Sequence, residues 1–279
     1  MKEKLRKAYF LRDLDDEALS AVQSVCSVRT FSKGNKIIEE GEEGYSIFII
    51  IDGKVHVYKR DISGAMKFMD ELGSGNFFGE ISFLTGRPRT ATVVAAEDCT
   101  LYEISKEDME KLEESYPQIK SVLMDFYKIR VLDSLLAFSP LFSELDADDR
   151  KYVLTKFKPD IYQPGQVIIQ EGTEGDSLFV IKSGKVLVKT KDIKGREIKL
   201  AELGPGDFFG EIALITNNPR TATVVAITKV GVLKMSKEDF LEIIQLYPSV
   251  LEKGIEYVKR RAEETITILL NARKGRYPE

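Results

Sequence analysis

Two short segments hold the residues best suited to chemistry. Phe78-Gly79-Glu80-Ile81-Ser82 is followed, nine residues after the glutamate, by Arg89 and Thr90, and Phe209-Gly210-Glu211-Ile212-Ala213 is followed at the same spacing by Arg220 and Thr221. A glycine leaving a strand lets the backbone turn, or approach a ligand, where a Cβ would clash. The stretch Ile81 to Leu84 could form a single helical turn whose free N–H groups would cradle an anion. A carboxylate beside an anion is unfavourable unless it faces a hydroxyl donor, and a guanidinium fork pairs with phosphate oxygens. Gly, Glu and Arg together therefore suit a ligand with both a sugar hydroxyl and a phosphate. The competing reading is an Arg–Glu surface salt bridge, a common arrangement that contributes little.

These segments lie in a repeat that sets the organisation of the chain. FFGEISFLTGRPRTATVVA at 77–95 recurs as FFGEIALITNNPRTATVVA at 208–226, an offset of 131 that holds far beyond the segment itself. Gly41, Gly44, Gly53, Gly73 and Gly75 map onto Gly172, Gly175, Gly184, Gly204 and Gly206, and Ser105 to Asp108 onto Ser236 to Asp239. A period this long is a duplicated domain, because each copy can bury its own core. The 279 residues fit two such domains, expected at 1–137 and 138–279 with a stiff helical connection near Ser139-Pro140.

Within a copy, a helix at 15–26 (146–157 in the second) precedes strand-like segments at 36–39, 46–51, 54–59, 66–72, 91–95 and 99–104. Short β-rich segments punctuated by glycine turns predict a barrel or jelly roll. Ser105 and Ser236 read as helix N-caps, and Pro117 and Pro248 divide that helix from a longer one. The expected fold is mostly β with flanking helices: two tandem double-stranded β-roll, jelly-roll-like domains.

The pattern FGE, then a small residue, then PR-x-A-T-V, met twice, resembles the phosphate-binding cassette of the cyclic-nucleotide-binding domain family. That family includes kinase regulatory subunits, gated channels and the bacterial catabolite-activator class, and the likeness covers about 8–137 and 139–271. The resemblance implies that Glu80 and Glu211 bind a ribose 2′-OH. It also implies that Arg89 and Arg220 bind the cyclic phosphate, helped by amides around Gly79, Ile81 and Ser82 and around Gly210, Ile212 and Ala213. Thr90 and Thr221 point to cGMP, since a threonine there can reach the guanine amino group, whereas cAMP is the commoner ligand of stand-alone members. The expected ligand is cAMP or cGMP.

Family domains usually close a helix over the base. Phe126 aligns with Tyr257 and Arg130 with Arg261, and an aromatic ring or a guanidinium could stack on a purine. Core packing is preferred for Phe126, while Tyr257, Arg130 and Arg261 are lid candidates. The stripe Leu251, Ile255, Val258, Ala262, Ile266, Leu269 could pack on its own roll or form a homodimer seam, the first being the safer expectation.

Other functions are disfavoured. With 41 basic and 45 acidic residues interspersed and a net charge of −4, no basic face marks a nucleic-acid partner. The longest apolar run, Ile47 to Ile51, is too short for a membrane span, no apolar signal region follows the N-terminus, and a cytoplasmic location is expected. A single histidine, His56, and two unpatterned cysteines, Cys26 and Cys99, argue against a metal centre or an enzyme. His56 should face solvent opposite its flanking valines, and the cysteines should pack in the core. No kinase pseudosubstrate precedes the first copy, and the helix and tail Lys274 to Glu279 are too little for a helix-turn-helix. The output is expected to run through helix repositioning to an effector protein. The alternative is a ligand-free scaffold that uses the fold for protein contacts.

Overall fold

The computed structural model describes residues 2–61, 63–192 and 195–273; the tail Lys274 to Glu279 lies outside them. The chain divides into two compact units, Met1–Val131 and Leu132–Glu279. The first holds α1 (Lys2–Leu5), α2 (Asp16–Val25), β1 (Ser27–Phe31), β2 (Lys36–Ile38), β3 (Ile47–Asp52), β4 (Val55–Arg60), β5 (Met66–Leu72), β6 (Phe77–Phe78), α3 (Glu80–Thr85), β7 (Thr92–Ala95), β8 (Cys99–Ile104) and α4 (Lys106–Ser115). Helix α5 (Pro117–Phe138) follows. The second unit repeats the plan with α6 (Ala147–Thr155), β9 (Lys158–Tyr162), β10 (Val167–Ile169), β11 (Ser177–Ser183), β12 (Val186–Lys191), β13 (Glu197–Leu203), β14 (Phe208–Phe209), α7 (Glu211–Thr216), β15 (Thr223–Ala226), β16 (Val230–Ser236), α8 (Lys237–Leu246) and α9 (Pro248–Arg273).

Each unit is a pair of antiparallel four-stranded sheets. Their strand orders are β1-β8-β3-β6 and β2-β7-β4-β5 in the first, and β9-β16-β11-β14 and β10-β15-β12-β13 in the second. The apolar run of β3 is explained by burial on both faces, because successive side chains alternate sides. Ile47, Ile49 and Ile51 join a cluster with Leu19, Met109 and Leu123 of the helices, whereas Phe48 and Ile50 meet Val55, Val93 and Leu101 between the sheets. In β11 the same division sends Leu178 and Val180 one way and Phe179 and Ile181 the other.

The strands β1 and β6, and their copies β9 and β14, were not legible as apolar segments. β1 reads Ser-Val-Arg-Thr-Phe and is mostly exposed, and β6 is only two residues long. The caps follow expectation: the Ser105 and Ser236 hydroxyls accept from the amides of Asp108 and Asp239 at 3.1 and 3.0 Å. Pro117 and Pro248 open α5 and α9, where a missing N–H costs nothing. His56 is half-buried and lies 3.0 Å from Glu71 Oε2, while its neighbour Val55 is fully buried. Cys99 is buried and Cys26 partly so, and burial pushes the Cys26 thiol up to about 12.

The last helix departs from expectation. Its buried positions are Val250 and Gly254, with Tyr257 and Arg261 partly buried on the same side, whereas Ile255, Ala262 and Ile266 of the apolar stripe are exposed. Leu251, Val258 and Leu269 of the same stripe are partly buried, so the stripe is only in part turned inward.

Within the second unit, Arg150 of α6 is buried and pairs with Asp133 at 2.7 Å while donating to the Leu145 carbonyl at 2.7 Å. Removing one partner strands a buried charge, so Asp133→Ala should lower unfolding free energy by about 3 kcal/mol, and Asp133→Leu with Arg150→Met by much less. Chemical denaturation of the full chain reads both.

Candidate functional site

The arginine of each repeat is held at backbone and side chain. The Arg89 amide donates to the Glu42 carbonyl and its carbonyl accepts from Gly41, both at 2.8 Å, which fastens the loop after β2 to the segment before β7. Arg220 is fastened in the same way to Thr173 and Gly172. The guanidinium then turns inward. Arg89 Nη1 donates to the carbonyls of Ser46 (3.0 Å) and Gly79 (3.2 Å), and Nη2 to Ser46 Oγ (3.3 Å). Arg220 Nη1 donates to the Gly210 carbonyl at 2.7 Å, and Nη2 to Ser177 O at 2.8 Å.

Both arginines are buried, at 4% and 5% exposure. Burial lowers both pKa values, opposed at Arg89 by Glu42, Glu103 and Glu80, and at Arg220 by Asp176 and Glu211. A guanidinium keeps its charge under such shifts. Arg89 Nε is buried without a hydrogen-bond partner. A buried cation with an unused N–H is poised for an anion.

Gly79 and Gly210 open α3 and α7 in the left-handed region, at φ 91° and 89°. A Cβ on Gly79 would lie 2.5 Å from Ser46 O and 2.8 Å from Arg89 Nη1, and one on Gly210 would lie 2.8 Å from Arg220 Nη1. The glycine is thus required by the approach of its own arginine as well as by its backbone angle.

The glutamates that follow are buried, Glu80 at 1% and Glu211 at 0% exposure. Neither forms a surface bridge with its cassette arginine. Glu80 pairs instead with Arg130 Nη1 of α5 at 2.7 Å, and Glu211 with Arg261 Nη1 of α9 at 3.2 Å. Arg130 Nη2 also donates to Phe77 O at 2.6 Å, and Arg261 Nη2 to Phe208 O at 3.0 Å and to the Tyr257 hydroxyl at 2.9 Å. Burial raises the Glu211 pKa, opposed by Arg261 and Arg220, and its Oε2 has no hydrogen-bond partner. A buried orphan oxygen is costly unless a donor comes to it.

Among the expected site residues, the structure brings Gly79, Glu80 and Arg89 together, and likewise Gly210, Glu211 and Arg220. Ser82 and Ala213 are buried, Ile81, Ile212 and Thr90 partly buried, and Thr221 exposed. In the second unit Gly210, Glu211, Ile212, Ala213, Arg220, Thr221 and Arg261 line one recess open to solvent. Phe126 packs edge-on to Phe77 at 5.0 Å, as core packing requires. The lid candidates Arg130, Arg261 and Tyr257 sit on the cassette itself, and the Tyr257 ring lies tilted against Phe208 with centroids 4.3 Å apart. Three contributors escaped the sequence reading. Ser46 and Ser177 receive the arginines, a role their identity at the repeat offset could have signalled. Asp176 pairs with Arg220 at 3.1 Å, where the first copy has Tyr45.

The family model for the cyclic nucleotide-binding domain matches residues 28–116 and 159–247, more than half of the chain. The chain belongs to the cyclic nucleotide-binding domain family, with two such domains in tandem. It is similar to a cAMP-dependent protein kinase regulatory subunit of Yarrowia lipolytica, 31% identical over 238 residues, covering 85% of this chain and 59% of that protein. A protein of the same name from Eremothecium gossypii is 30% identical over 240 residues, covering 85% of this chain and 48% of its own length. The chain thus spans about half the length of these curated relatives. The solved regulatory domain of Toxoplasma gondii PKA with cAMP is 24% identical, with 94% of this chain and 95% of that one covered, at a TM-score of 0.44.

Gly79→Ala forces a left-handed alanine against a carbonyl and a buried guanidinium, and should cost at least about 2 kcal/mol. Gly34→Ala, at φ 85° with nothing within 4 Å of the added Cβ, should cost only about 1 kcal/mol. Paired urea melts of the two variants check the difference.

Proposed function

We propose that the protein is a cyclic-nucleotide sensor that binds one nucleotide in each of its two cassettes and signals to a partner protein. The observation that carries this reading is the buried constellation itself, a buried guanidinium beside a buried carboxylate that keeps one oxygen without a hydrogen-bond partner, present in both units. Arg89 and Arg220 would hold the cyclic phosphate, and Glu80 and Glu211 a ribose hydroxyl. The relatives' printed names favour cAMP over cGMP and favour a protein kinase as the effector. The chain then acts by binding rather than catalysis, in the cytoplasm. No helix among the described residues is long and apolar enough to cross a membrane.

The helices α5 and α9 supply the means of signalling. Arg130 and Arg261 reach from them to the glutamates, so a ligand hydroxyl arriving at the carboxylate competes for the group that holds the helix. A coupling of ~1–3 kcal/mol is typical of such links.

Arg89→Leu should weaken cAMP binding at the first cassette about 100-fold or more and leave the second intact, with Arg220→Leu doing the reverse, as read by calorimetric titration. Loss of neither site would overturn the phosphate assignment. Binding at the second cassette depends on an ionised Glu211, whose pKa is raised by burial. Affinity there should therefore fall as pH drops through that raised value, still above the ordinary carboxylate range, which a pH series on the Arg89→Leu chain would measure.

A further inference from the structure

The two units carry opposite charges at one inward position near the cassette arginine. Side chains of β8 and β16 alternate faces, and Leu101 and Val232 lie in the clusters between the sheets. Two residues on, the same face presents Glu103 in the first unit and Lys234 in the second. Each stands opposite the equivalent phenylalanine, Glu103 across from Phe48 and Lys234 across from Phe179. The Arg89 guanidinium carbon lies 5.8 Å from the Phe48 ring, whereas the Lys234 ammonium stands 5.7 Å from the Phe179 ring.

The surroundings differ in the same sense. Glu103 pairs with the exposed Arg29 of β1 at 3.5 Å, and together with Glu42 it acts on Arg89 through space. Lys234 makes no hydrogen bond or ion pair among the described residues. Its charge acts on Asp176, the carboxylate that pairs with Arg220 at 3.1 Å. Asp160, at the place of Arg29, accepts from the Tyr162 hydroxyl at 2.9 Å. Two cations therefore share Asp176 beside the second cassette, while Arg89 faces two carboxylates beside the first. Lys234 does not line the recess of the second cassette, so it reaches a bound anion through its field and not by contact.

We propose that this position tunes the attraction of the two cassettes for an anionic nucleotide in opposite senses: Lys234 strengthens binding at the second, and Glu103 weakens it at the first. The inference rests on the reading of Arg89 and Arg220 as the phosphate contacts. Both groups act at a distance, so salt screens them, with a screening length of ~10 Å at 0.1 M. The gap between the affinities of the two cassettes is then set in part by ionic strength.

The test uses the full chain with one cassette disabled, Arg89→Leu to isolate the second and Arg220→Leu to isolate the first. Affinity for cAMP is measured by calorimetry at about 20 mM and about 0.5 M salt, on either side of physiological screening. Lys234→Met keeps an apolar stem over Phe179 and removes only the charge. At low salt it should weaken the second cassette about three- to tenfold, with Lys234→Arg restoring it, and Glu103→Gln should tighten the first by a similar factor. Both changes should shrink below about twofold at high salt, a dependence that a packing role would not produce. The Glu103→Gln arm stands even if Lys234→Met fails to fold. A folded charge-removing variant that leaves affinity unchanged, or changes it equally at both salt concentrations, would overturn the proposal. An isolated cassette that binds no cAMP with Lys234 and Glu103 intact would instead overturn the phosphate reading on which the inference rests.

Discussion

In each repeat a buried arginine donates to the carbonyl of the glycine ten residues before it, and the site is built around this contact. Sinking a guanidinium into a protein is tolerable only when its N–H groups find acceptors. Ser46 and Gly79 supply them in one unit, and Ser177 and Gly210 in the other. The contact needs a glycine, because a side chain there would occupy the space of the guanidinium. It also needs a loop that comes back to meet it, which explains the backbone bonds from Gly41 and Glu42 to Arg89 and from Gly172 and Thr173 to Arg220. The doubly buried strands β3 and β11 place the accepting serines, Ser46 just before one and Ser177 at the start of the other. The sheets thus act as a rigid frame on which a cation is presented at a fixed point.

Around this shared frame the copies diverge in their electrostatics. Arg220 has a carboxylate partner, Asp176, which is largely exposed, whereas Arg89 makes no ion pair among the described residues. The Asp176 carboxyl is raised by partial burial, but the Ser177 hydroxyl, Lys234 and Arg220 outweigh this and hold it below its usual range. The glutamates differ as well, one in a short pair with Arg130 and the other sharing Arg261 with a tyrosine. Duplication has preserved the geometry of the cassette while leaving its charge balance free to change.

What could be read from the sequence follows from how local each feature is. The β-roll, the caps at Ser105 and Ser236 and the Gly-Glu…Arg set all lie within short windows, where periodicity and turn chemistry are strong signals. The exposed strand β1 carries little apolar pattern, and its place comes from pairing with β8. The partners of Glu80 and Glu211 lie fifty residues onward, on helices whose inward faces contain Gly254 and Arg261, residues that an apolar stripe does not register. The visible stripe in α9 consequently coincides only in part with the face that turns inward. Arg130, Arg261 and Tyr257 contact the cassette's own glutamates and phenylalanines, which no spacing rule reveals.

The central claim is that both cassettes are competent, and the stoichiometry of binding tests it most directly. Calorimetric titration of the intact chain with cAMP, and separately with cGMP, should give saturable binding of two nucleotides per chain for at least one of them. A stoichiometry of one would mean that the buried Gly-Glu-Arg geometry is insufficient in one copy, and no saturable binding of either nucleotide would contradict the account as a whole.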